Sequence, residues 1–219
     1  IESRAGSEDG LLIQDIKTFR MLVYDETGDK LLYDYLVWDN GAVNDNPDVY
    51  QQAYSNYKYN AGETNDNTSA KLTYRLHIPS GKYYIYGVAN AENDLTPDKY
   101  ATRDLLKAIN CVWNPDKISD NSQMFGIFAI EDNQSAYKED KPVTITNKNS
   151  SINCWLRRLA SKVTVAFDGT ELFDNVQIYI ESIHLRDIPK NCALGIPNVP
   201  GIDPVFANTC LLYTSDAVD

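Results

Sequence analysis

The sequence predicts a mostly β protein, and a β-sandwich is favoured over an α/β fold. Short segments alternate apolar and polar residues with a period of two, as in "KLTYRLHI" at 71–78. Turn residues separate the early segments at intervals of about 8–12 residues. Only one segment, 95–113, has helical spacing. Strands that outnumber helices in this way are typical of sheets packed face to face.

The first predicted element is a β-hairpin within 11–38. Its turn lies at 25–29, where Gly28 tolerates a positive φ, and its second strand covers 31–38. Alternation in the first strand places Phe19, Met21 and Val23 on one face and Thr18, Arg20 and Leu22 on the other.

Residues 39–70 are rich in Asn, Asp, Tyr and Gly and are predicted to form one long loop. A loop of this length inside a compact domain usually has a functional role or is an insertion. Its carboxylates Asp39, Asp45 and Asp48 could hold calcium, but their spacing does not match the EF-hand loop. A solvated loop is therefore the favoured interpretation.

A second hairpin is predicted at 71–90, around a turn at Pro79-Ser80-Gly81. Its second strand is rich in tyrosine, and large rings stabilise a sheet by packing, without any reactive group. Asn90 ends this strand, where its side chain is expected to bond to the backbone of the turn. The tyrosines assigned to packing are Tyr83, Tyr84 and Tyr86.

The remaining segments complete the mostly β pattern. A helix is predicted within 95–113, with Thr96 as its N-cap and Pro97 in its first turn. Strand patterns return at 123–130 and 141–147. From Cys154 the alternation starts again and continues to about 188, with a change of phase that indicates a β-bulge.

Composition disfavours several classes of partner. Twenty basic residues face 31 acidic ones, for a formal net charge of −11. This negative charge disfavours binding to nucleic acid, whose phosphates are also negative. No apolar run approaches the length of about 18 residues that a membrane helix needs. The first residues lack the features of a signal peptide. Because the composition, with 15 Tyr and only two Met, is typical of exported proteins, we expect a mature chain whose targeting segment has been removed.

Residues that could carry chemistry do not form a known motif. The two histidines, His77 and His184, have no nucleophile motif beside them, and the 11 glycines are scattered singly at turns. The sequence therefore predicts no enzyme activity, no cofactor and no metal site. The four cysteines have no C-x-x-C spacing, so they are expected to be small buried residues or to form at most one disulfide: Cys111, Cys154, Cys192 and Cys210.

Several aromatic residues in or next to the polar segment suggest a binding role. Rings of this kind can stack on the faces of sugars. The alternative is that they cover the open end of the sandwich. The candidate ligand contacts are Trp38, Tyr50, Tyr54, Tyr57 and Tyr59.

Four segments together resemble one family. They are "FRMLVYDETG", "LHIPSGKYYIYGVANAEND", "RRLASKVTV" and "VQIYIESIHLRDIPKNCALG". This series is similar to the fimbrillin-like proteins of Bacteroidetes, which include type V pilins, fimbrial anchor and tip subunits, and related surface lipoproteins. The resemblance covers roughly residues 5–200.

The resemblance implies two transthyretin-like β-sandwich domains in tandem, with the boundary near 153–158. The expected organisation is a tether at 1–10, a first sandwich at 11–153 and the start of a second, truncated sandwich at 154–206. The tail 207–219 resembles a translated sequencing-library adapter and is expected to be non-native.

In polymerising members an arginine-specific protease removes an N-terminal strand, and the exposed groove accepts a strand from the next subunit. By this resemblance Arg4 and Ala5 mark a candidate processing site. A flexible tether downstream of a lipidated cysteine is the equal alternative for the same residues.

The leading hypothesis is a structural or adhesive subunit of a cell-surface fimbria that joins other subunits by strand exchange. The alternative is a monomeric surface lipoprotein that binds host glycan or protein through 39–70. Both hypotheses place the chain at the outer membrane, held there only through a lipid anchor on its precursor.

Overall fold

A computed structural model of the chain describes residues 16–39, 47–58, 68–112, 122–131, 138–148, 150–159, 188–189, 191–196 and 206–207. The described part is mostly β, with antiparallel strand pairs, one short α-helix and one 3-10 helix, which confirms the coarse fold class. The helical elements are the 3-10 helix (Pro97–Tyr100) and α1 (Arg103–Lys107). The strands are β1 (Thr18–Tyr24), β2 (Leu31–Asp39), β3 (Val49–Lys58), β4 (Thr68–Leu76), β5 (Gly81–Ala89), β6 (Asn110–Val112), β7 (Met124–Ala129), β8 (Val143–Ile145), β9 (Asn153–Cys154), β10 (Arg157–Arg158), β11 (Ile188–Pro189), β12 (Asn191–Ala193) and β13 (Phe206–Ala207).

Seven strands form the main sheet. Their order is β10–β7–β5–β1–β2, with β8 paired to β5 and β9 paired to β7. The hairpin predicted for β1 and β2 is confirmed. At its turn the Asp25 carboxylate accepts backbone hydrogen bonds from Gly28 at 2.8 Å and Asp29 at 3.1 Å. Gly28 has a φ of +83°, a conformation that glycine adopts without a Cβ clash, so the turn fixes the hairpin.

Side chains on both faces of β1 and β5 are buried, so the main sheet lies between two apolar layers. As predicted, Phe19, Met21 and Val23 lie on one face of β1, in the first core, and Leu22 lies on the other face, in the second core. The first core consists of Ile16, Phe19, Met21, Val23, Tyr35, Val37, Val49, Tyr83, Ile85, Ala89, Met124, Phe128 and Val143. The second core consists of Leu22, Tyr24, Tyr86, Val88, Ala91, Tyr100, Leu106, Ile109, Cys111, Phe125 and Leu194. Tyr83 and Tyr86 therefore have the packing role expected of them, on opposite faces of β5.

Residues 39–70 are not one long loop, as predicted, because 49–58 and 68–70 lie in strands. β3 pairs with β4 from Val49 opposite Leu76 to Lys58 opposite Thr68, with an irregularity near Tyr50. The segment 49–58 lacks a clear apolar alternation, so its strand conformation depends on pairing with β4 more than on its own pattern.

The β3–β4 pair packs against the first core. Val49 belongs to that core, and Leu72, Tyr74 and Leu76 pack against it. The Tyr74 hydroxyl donates to the sulfur of Met21 at 3.0 Å. This two-stranded sheet therefore covers one face of the main sheet.

The predicted hairpin at 71–90 is wrong, although both of its strands exist. β4 pairs with β3, whereas β5 lies between β1 on one side and β7 and β8 on the other. Since β5 is a central strand, its backbone groups on both edges already have partners. Residues 77–80 therefore carry the chain from one sheet to the other rather than closing a hairpin.

Asn90 ends β5 in a left-handed conformation, with φ at +58°. Its Oδ1 accepts backbone hydrogen bonds from Lys17 at 2.8 Å and Thr18 at 3.1 Å, and its Nδ2 donates to the Ser122 carbonyl at 3.2 Å. Asn90 thus bonds to backbone as expected, but it connects the starts of β1 and β7, which are distant in sequence.

The helix predicted within 95–113 is confirmed, but it is shorter than the segment, because the 3-10 helix, α1 and β6 share these residues. Thr96 occupies the N-cap of the 3-10 helix but makes no side-chain capping bond. Thr102, in an extended conformation, separates the two helices and caps α1 by accepting from the backbone of Leu105 at 3.2 Å. The Tyr24 hydroxyl donates to the Tyr100 carbonyl at 2.7 Å, which occupies an acceptor that a continuous helix would use. The helical layer covers the second face of the main sheet through Tyr100, Leu106 and Ile109.

The strands predicted at 123–130 and 141–147 are confirmed as β7 and β8. β9 and β10 both pair with β7, and the short strand β12 pairs with β6. β11 pairs with β13, whose residues are 206–207. The predicted alternation and bulge between 160 and 187 lie outside the described residues. The division into two domains stays a prediction.

Candidate functional site

The edge strand β2 is the strongest candidate for an interaction site. It stands at one end of the main sheet and pairs with β1 on its inner side. Within the described ranges, no strand pairs with its outer side. An edge strand presents backbone donors and acceptors to which another strand can bond.

Two β-bulges limit the regular part of this edge. The pairing of β1 with β2 shifts between Phe19 and Arg20 and again between Val23 and Tyr24. Regular pairing on β2 therefore covers 33–36. A bulge also explains why neighbouring residues of β2, Val37 and Trp38, both contact the first core.

The inner face of the edge strand has two stacked tyrosines. The rings of Tyr33 and Tyr35 are 5.7 Å apart and nearly parallel, at 7°. Tyr35 is only 4% exposed, and its hydroxyl has no hydrogen-bond partner among the described residues. Burial, with smaller contributions from Asp48 and Tyr33, raises the pKa of Tyr35 to about 12. The stack gives this part of the edge a rigid apolar backing.

The opposite face of the edge strand is fixed by an ion-paired group, the edge cluster, formed by Arg20, Asp34, Glu92 and Tyr100. Arg20 donates to Asp34 at 2.6 Å and to Glu92 at 2.7 Å. The Tyr100 hydroxyl donates to the other Asp34 oxygen at 2.9 Å. Burial opposes the charge of Arg20, but its hydrogen bonds to Glu92 and Asp34 outweigh that effect and raise its pKa.

The edge cluster therefore connects β2 to β1 and to the helical layer. Its members are far apart in the sequence, and Arg20 was predicted only to face away from Phe19, so no local motif could identify the cluster. The contact between Arg20 and Asp34 is the one that the sequence could have suggested, because the two residues lie on the two strands of the predicted hairpin.

The candidate ligand contacts are distributed over two sheets. Trp38 is half-buried against the first core, and the Tyr50 ring lies 4.5 Å from the ring of exposed His77. Tyr54 and Tyr57 belong to β3, opposite Leu72 and Ser69 of β4, and Tyr59 lies outside the described residues. These strand positions do not test whether the five rings share a surface, so their role in binding stays a prediction.

The other candidate residues are only partly described. Arg4, Ala5, Asp45 and His184 lie outside the described residues, whereas Asp39 and Asp48 are exposed. The described residues contain no group of three or more metal-ligating side chains.

A second polar group, the Asp140 cluster, escaped sequence reasoning. Asp140 accepts from the Tyr86 hydroxyl at 2.6 Å and from Lys107 at 2.7 Å. Arg103 lies 4.3 Å from the ring centre of Tyr84 and 4.0 Å from Asp140. These contacts join α1 to β5 and to the segment before β8, so the cluster has a structural role.

Taken together, the described edge offers backbone hydrogen bonding on a rigid support. None of the helices in the described ranges is both apolar and long enough to span a bilayer. Comparison of the chain with protein-family models, curated proteins and solved structures gives no match.

Proposed function

We propose that this chain is a structural or adhesive subunit of a cell-surface fimbria and that it joins other subunits by β-strand addition. The observation that supports this proposal best is the position of β2, a nine-residue strand at the edge of a sheet whose neighbouring strand β1 is buried on both faces. A strand that packs on the first core and is ion-paired on its other face gives an added strand a fixed template. The resemblance of four sequence segments to fimbrillin-like proteins supports the same function.

The proposal includes the finer architecture and location. The main sheet and the β3–β4 pair form the first of two tandem transthyretin-like β-sandwich domains, and the boundary to the second lies near 153–158. The precursor is a lipoprotein of the outer membrane, and the mature chain is part of the fimbrium.

Strand addition at β2 uses the regular segment 33–36. The backbone of the incoming strand supplies the ladder hydrogen bonds, and its side chains meet the tyrosine stack on one face and the edge cluster on the other. The net charge of −11 opposes contact between two copies, so assembly is expected to be faster at physiological salt than at low salt.

The test uses a matched pair of lysine substitutions. Leu32 on β2 is 38% exposed and Leu105 on α1 is 48% exposed, so both variants change an exposed leucine at little cost in stability. A lysine on an edge strand hinders strand addition, whereas a lysine on the helix does not. The chain is treated with an arginine-specific protease and followed by size-exclusion chromatography, SDS electrophoresis and electron microscopy.

The expected result is SDS-resistant ladders or filaments for the unmodified chain and for Leu105→Lys, with a loss of at least about tenfold in polymer for Leu32→Lys. Equal polymerisation of the two variants would exclude β2 as the accepting edge. Persistent monomer for all three proteins would contradict polymerisation by strand addition. It would favour an anchor subunit, a tip subunit or a monomeric surface lipoprotein that binds host glycan or protein through 39–70.

A further inference from the structure

The short strands β6 and β12 bring together two cysteines that are distant in the sequence. Cys111 lies directly opposite Cys192 in the antiparallel pairing of these strands. Both are thiols in the structure. Cys111 is 5% exposed, and Cys192 is half-buried.

The register of this pairing is fixed beyond the cysteines themselves. The Leu194 backbone donates to the Ile109 carbonyl at 2.8 Å, and the Gly195 backbone donates to the Lys107 carbonyl at 3.0 Å. Leu194 is buried in the second core, so a slip of one residue would turn its side chain away from that core. A Cβ at position 195 would lie 2.6 Å from Lys107 Cγ, which is too close. The residue that donates to the Lys107 carbonyl must therefore be a glycine, and this also fixes the register.

Directly opposite residues on antiparallel strands have Cα atoms about 4.5–5.5 Å apart and side chains on the same face. A disulfide spans Cα atoms about 4.4–6.8 Å apart. The two ranges overlap, so a bond between Cys111 and Cys192 needs no change in the path of either strand.

We propose that Cys111 and Cys192 form a disulfide bond that fastens β12 to β6. The bond forms by exchange with a disulfide oxidant, either a small molecule such as oxidised glutathione or an oxidoreductase. The Cys192 thiolate attacks the oxidant and displaces one thiol. Cys111 then attacks the Cys192 sulfur and displaces the second thiol. Two protein thiols are oxidised, the oxidant disulfide is reduced to two thiols, and the two protein thiol protons pass to the leaving thiolates.

The order of these two steps follows from the accessibility of the two sulfurs. Cys192 is the more exposed thiol and meets the oxidant first. Burial, with a smaller contribution from Asp94, raises the pKa of Cys111 to about 12, so this thiol is a poor nucleophile in the folded chain. Bond formation is therefore expected to be faster during folding than after it is complete.

Cys154 provides the internal control. It is opposite Phe128 in the pairing of β9 with β7, so no cysteine faces it across that ladder. Its sulfur lies close to the positions that a Cβ would take at Gly87 and Gly126. Cys154 therefore has a packing role and should stay a thiol under the same conditions.

The proposed bond would close a loop of about 80 residues, and a cross-link of that span stabilises mainly by restricting the unfolded chain. It would hold 191–196 against the helical layer. A cell-surface location, as proposed above, is an oxidising environment in which such a bond persists.

The test starts with the chain refolded with oxidised and reduced glutathione, followed by alkylation of the remaining thiols. Digestion with trypsin alone leaves Cys192 and Cys210 in one peptide, 191–219, because no Lys or Arg lies between them. Chymotrypsin is therefore added to cut after Phe206. Mass spectrometry is expected to find a peptide containing Cys111 linked to one containing Cys192, about 2 Da lighter than the two thiol peptides together, and alkylated Cys154.

The stability of the same samples gives a second measurement. The oxidised chain is expected to melt roughly 10 °C above the reduced chain. This redox-dependent shift should persist in Cys154→Ala and in Cys210→Ser and disappear in Cys192→Ser. Since Cys192 is half-buried, its serine variant is expected to fold. Alkylation of both Cys111 and Cys192 after oxidative refolding, or a bond from either one to Cys154 or Cys210, would overturn the proposal.

Discussion

The two faces of the main sheet are covered in different ways. On the first face the β3–β4 pair packs through apolar contacts, and the Tyr35 hydroxyl is buried there with no hydrogen-bond partner in the described ranges. On the second face three tyrosine hydroxyls in the described ranges donate hydrogen bonds. Tyr24 donates to the Tyr100 carbonyl, Tyr86 to Asp140, and Tyr100 to Asp34.

This difference follows from the hydrogen bonding of the covering elements. A pair of strands satisfies its own backbone through its ladder, so it can cover a sheet through apolar side chains alone. A 3-10 helix of four residues and an α-helix of five leave most of their terminal backbone groups without internal partners. The helical layer therefore depends on side-chain and backbone bonds to the sheet, such as the Arg103 backbone donating to the Gly28 carbonyl at 2.9 Å.

The largest expected effect is alkaline unfolding, because buried tyrosines are present on both faces. Burial raises the pKa of Tyr35, on the first face, to about 12. On the second face burial, with hydrogen bonding to Asp34, raises the pKa of Tyr100 to about 12, and burial and Asp140 raise the pKa of Tyr86. The unfolded chain therefore loses tyrosine protons at a lower pH than the folded chain, so stability is complete below about pH 10 and falls as pH rises towards the folded pKa values.

Urea unfolding between about pH 8 and pH 12, with tyrosinate absorbance recorded in parallel, measures this effect. We expect tyrosinate to appear together with the loss of structure. Tyrosines that titrate smoothly near their ordinary pKa of about 10, without any loss of stability, would contradict the burial described for both faces.

The next largest effect compares one core residue from each face. Ile85→Ala and Leu106→Ala each remove a side chain that is at most 1% exposed, and each is expected to cost about 3 kcal/mol in the free energy of unfolding. The two variants should differ in where the protein loosens. Leu106→Ala should accelerate amide hydrogen exchange mainly in 97–112, because this short layer has few other apolar contacts to the sheet. Ile85→Ala should accelerate exchange throughout the main sheet, and identical exchange maps would mean that the two layers unfold as one unit.

The smallest effect compares two tyrosine hydroxyls. Tyr86→Phe removes a hydrogen bond to a carboxylate and is expected to cost about 2 kcal/mol. Tyr35→Phe removes a buried hydroxyl that has no hydrogen-bond partner among the described residues, so it should leave stability unchanged or raise it by up to about 1 kcal/mol. Chemical denaturation at neutral pH measures both changes. A destabilisation by Tyr35→Phe as large as that by Tyr86→Phe would remove the distinction between the two faces.

Some features of the fold follow from local sequence. The turn at Asp25 and Gly28 sits between two strands of matching pattern, so the β1–β2 hairpin is predictable from one continuous segment. The alternation of Phe19, Met21 and Val23 predicts which side chains enter the first core. β7 and β8 are predictable for the same reason, because a strand pattern bounded by turn residues is a local property.

Other features were invisible because they depend on partners that are distant in the sequence. The apolar alternation at 71–78 predicts a strand but not the strand that pairs with it. The sequence therefore predicts a hairpin of β4 with β5, whereas β4 pairs with β3 in the structure. The segment 49–58 has little apolar pattern of its own. β5 pairs with the side of β1 that faces away from β2, and no strand in the described ranges pairs with the outer side of β2. This pairing order, which the sequence does not show, makes β2 the candidate edge.

The sequence by itself therefore determined that the segments of β1, β2, β5, β7 and β8 are extended, where the first hairpin turns and which side chains of β1 are apolar on each face. Only the tertiary structure decided which strands pair, where the helical segment breaks at Thr102 and that Cys111 lies opposite Cys192. The physical reason is that backbone conformation depends mainly on neighbouring residues. Strand pairing depends on burying both faces of the sheet at once and on satisfying the backbone of every buried strand.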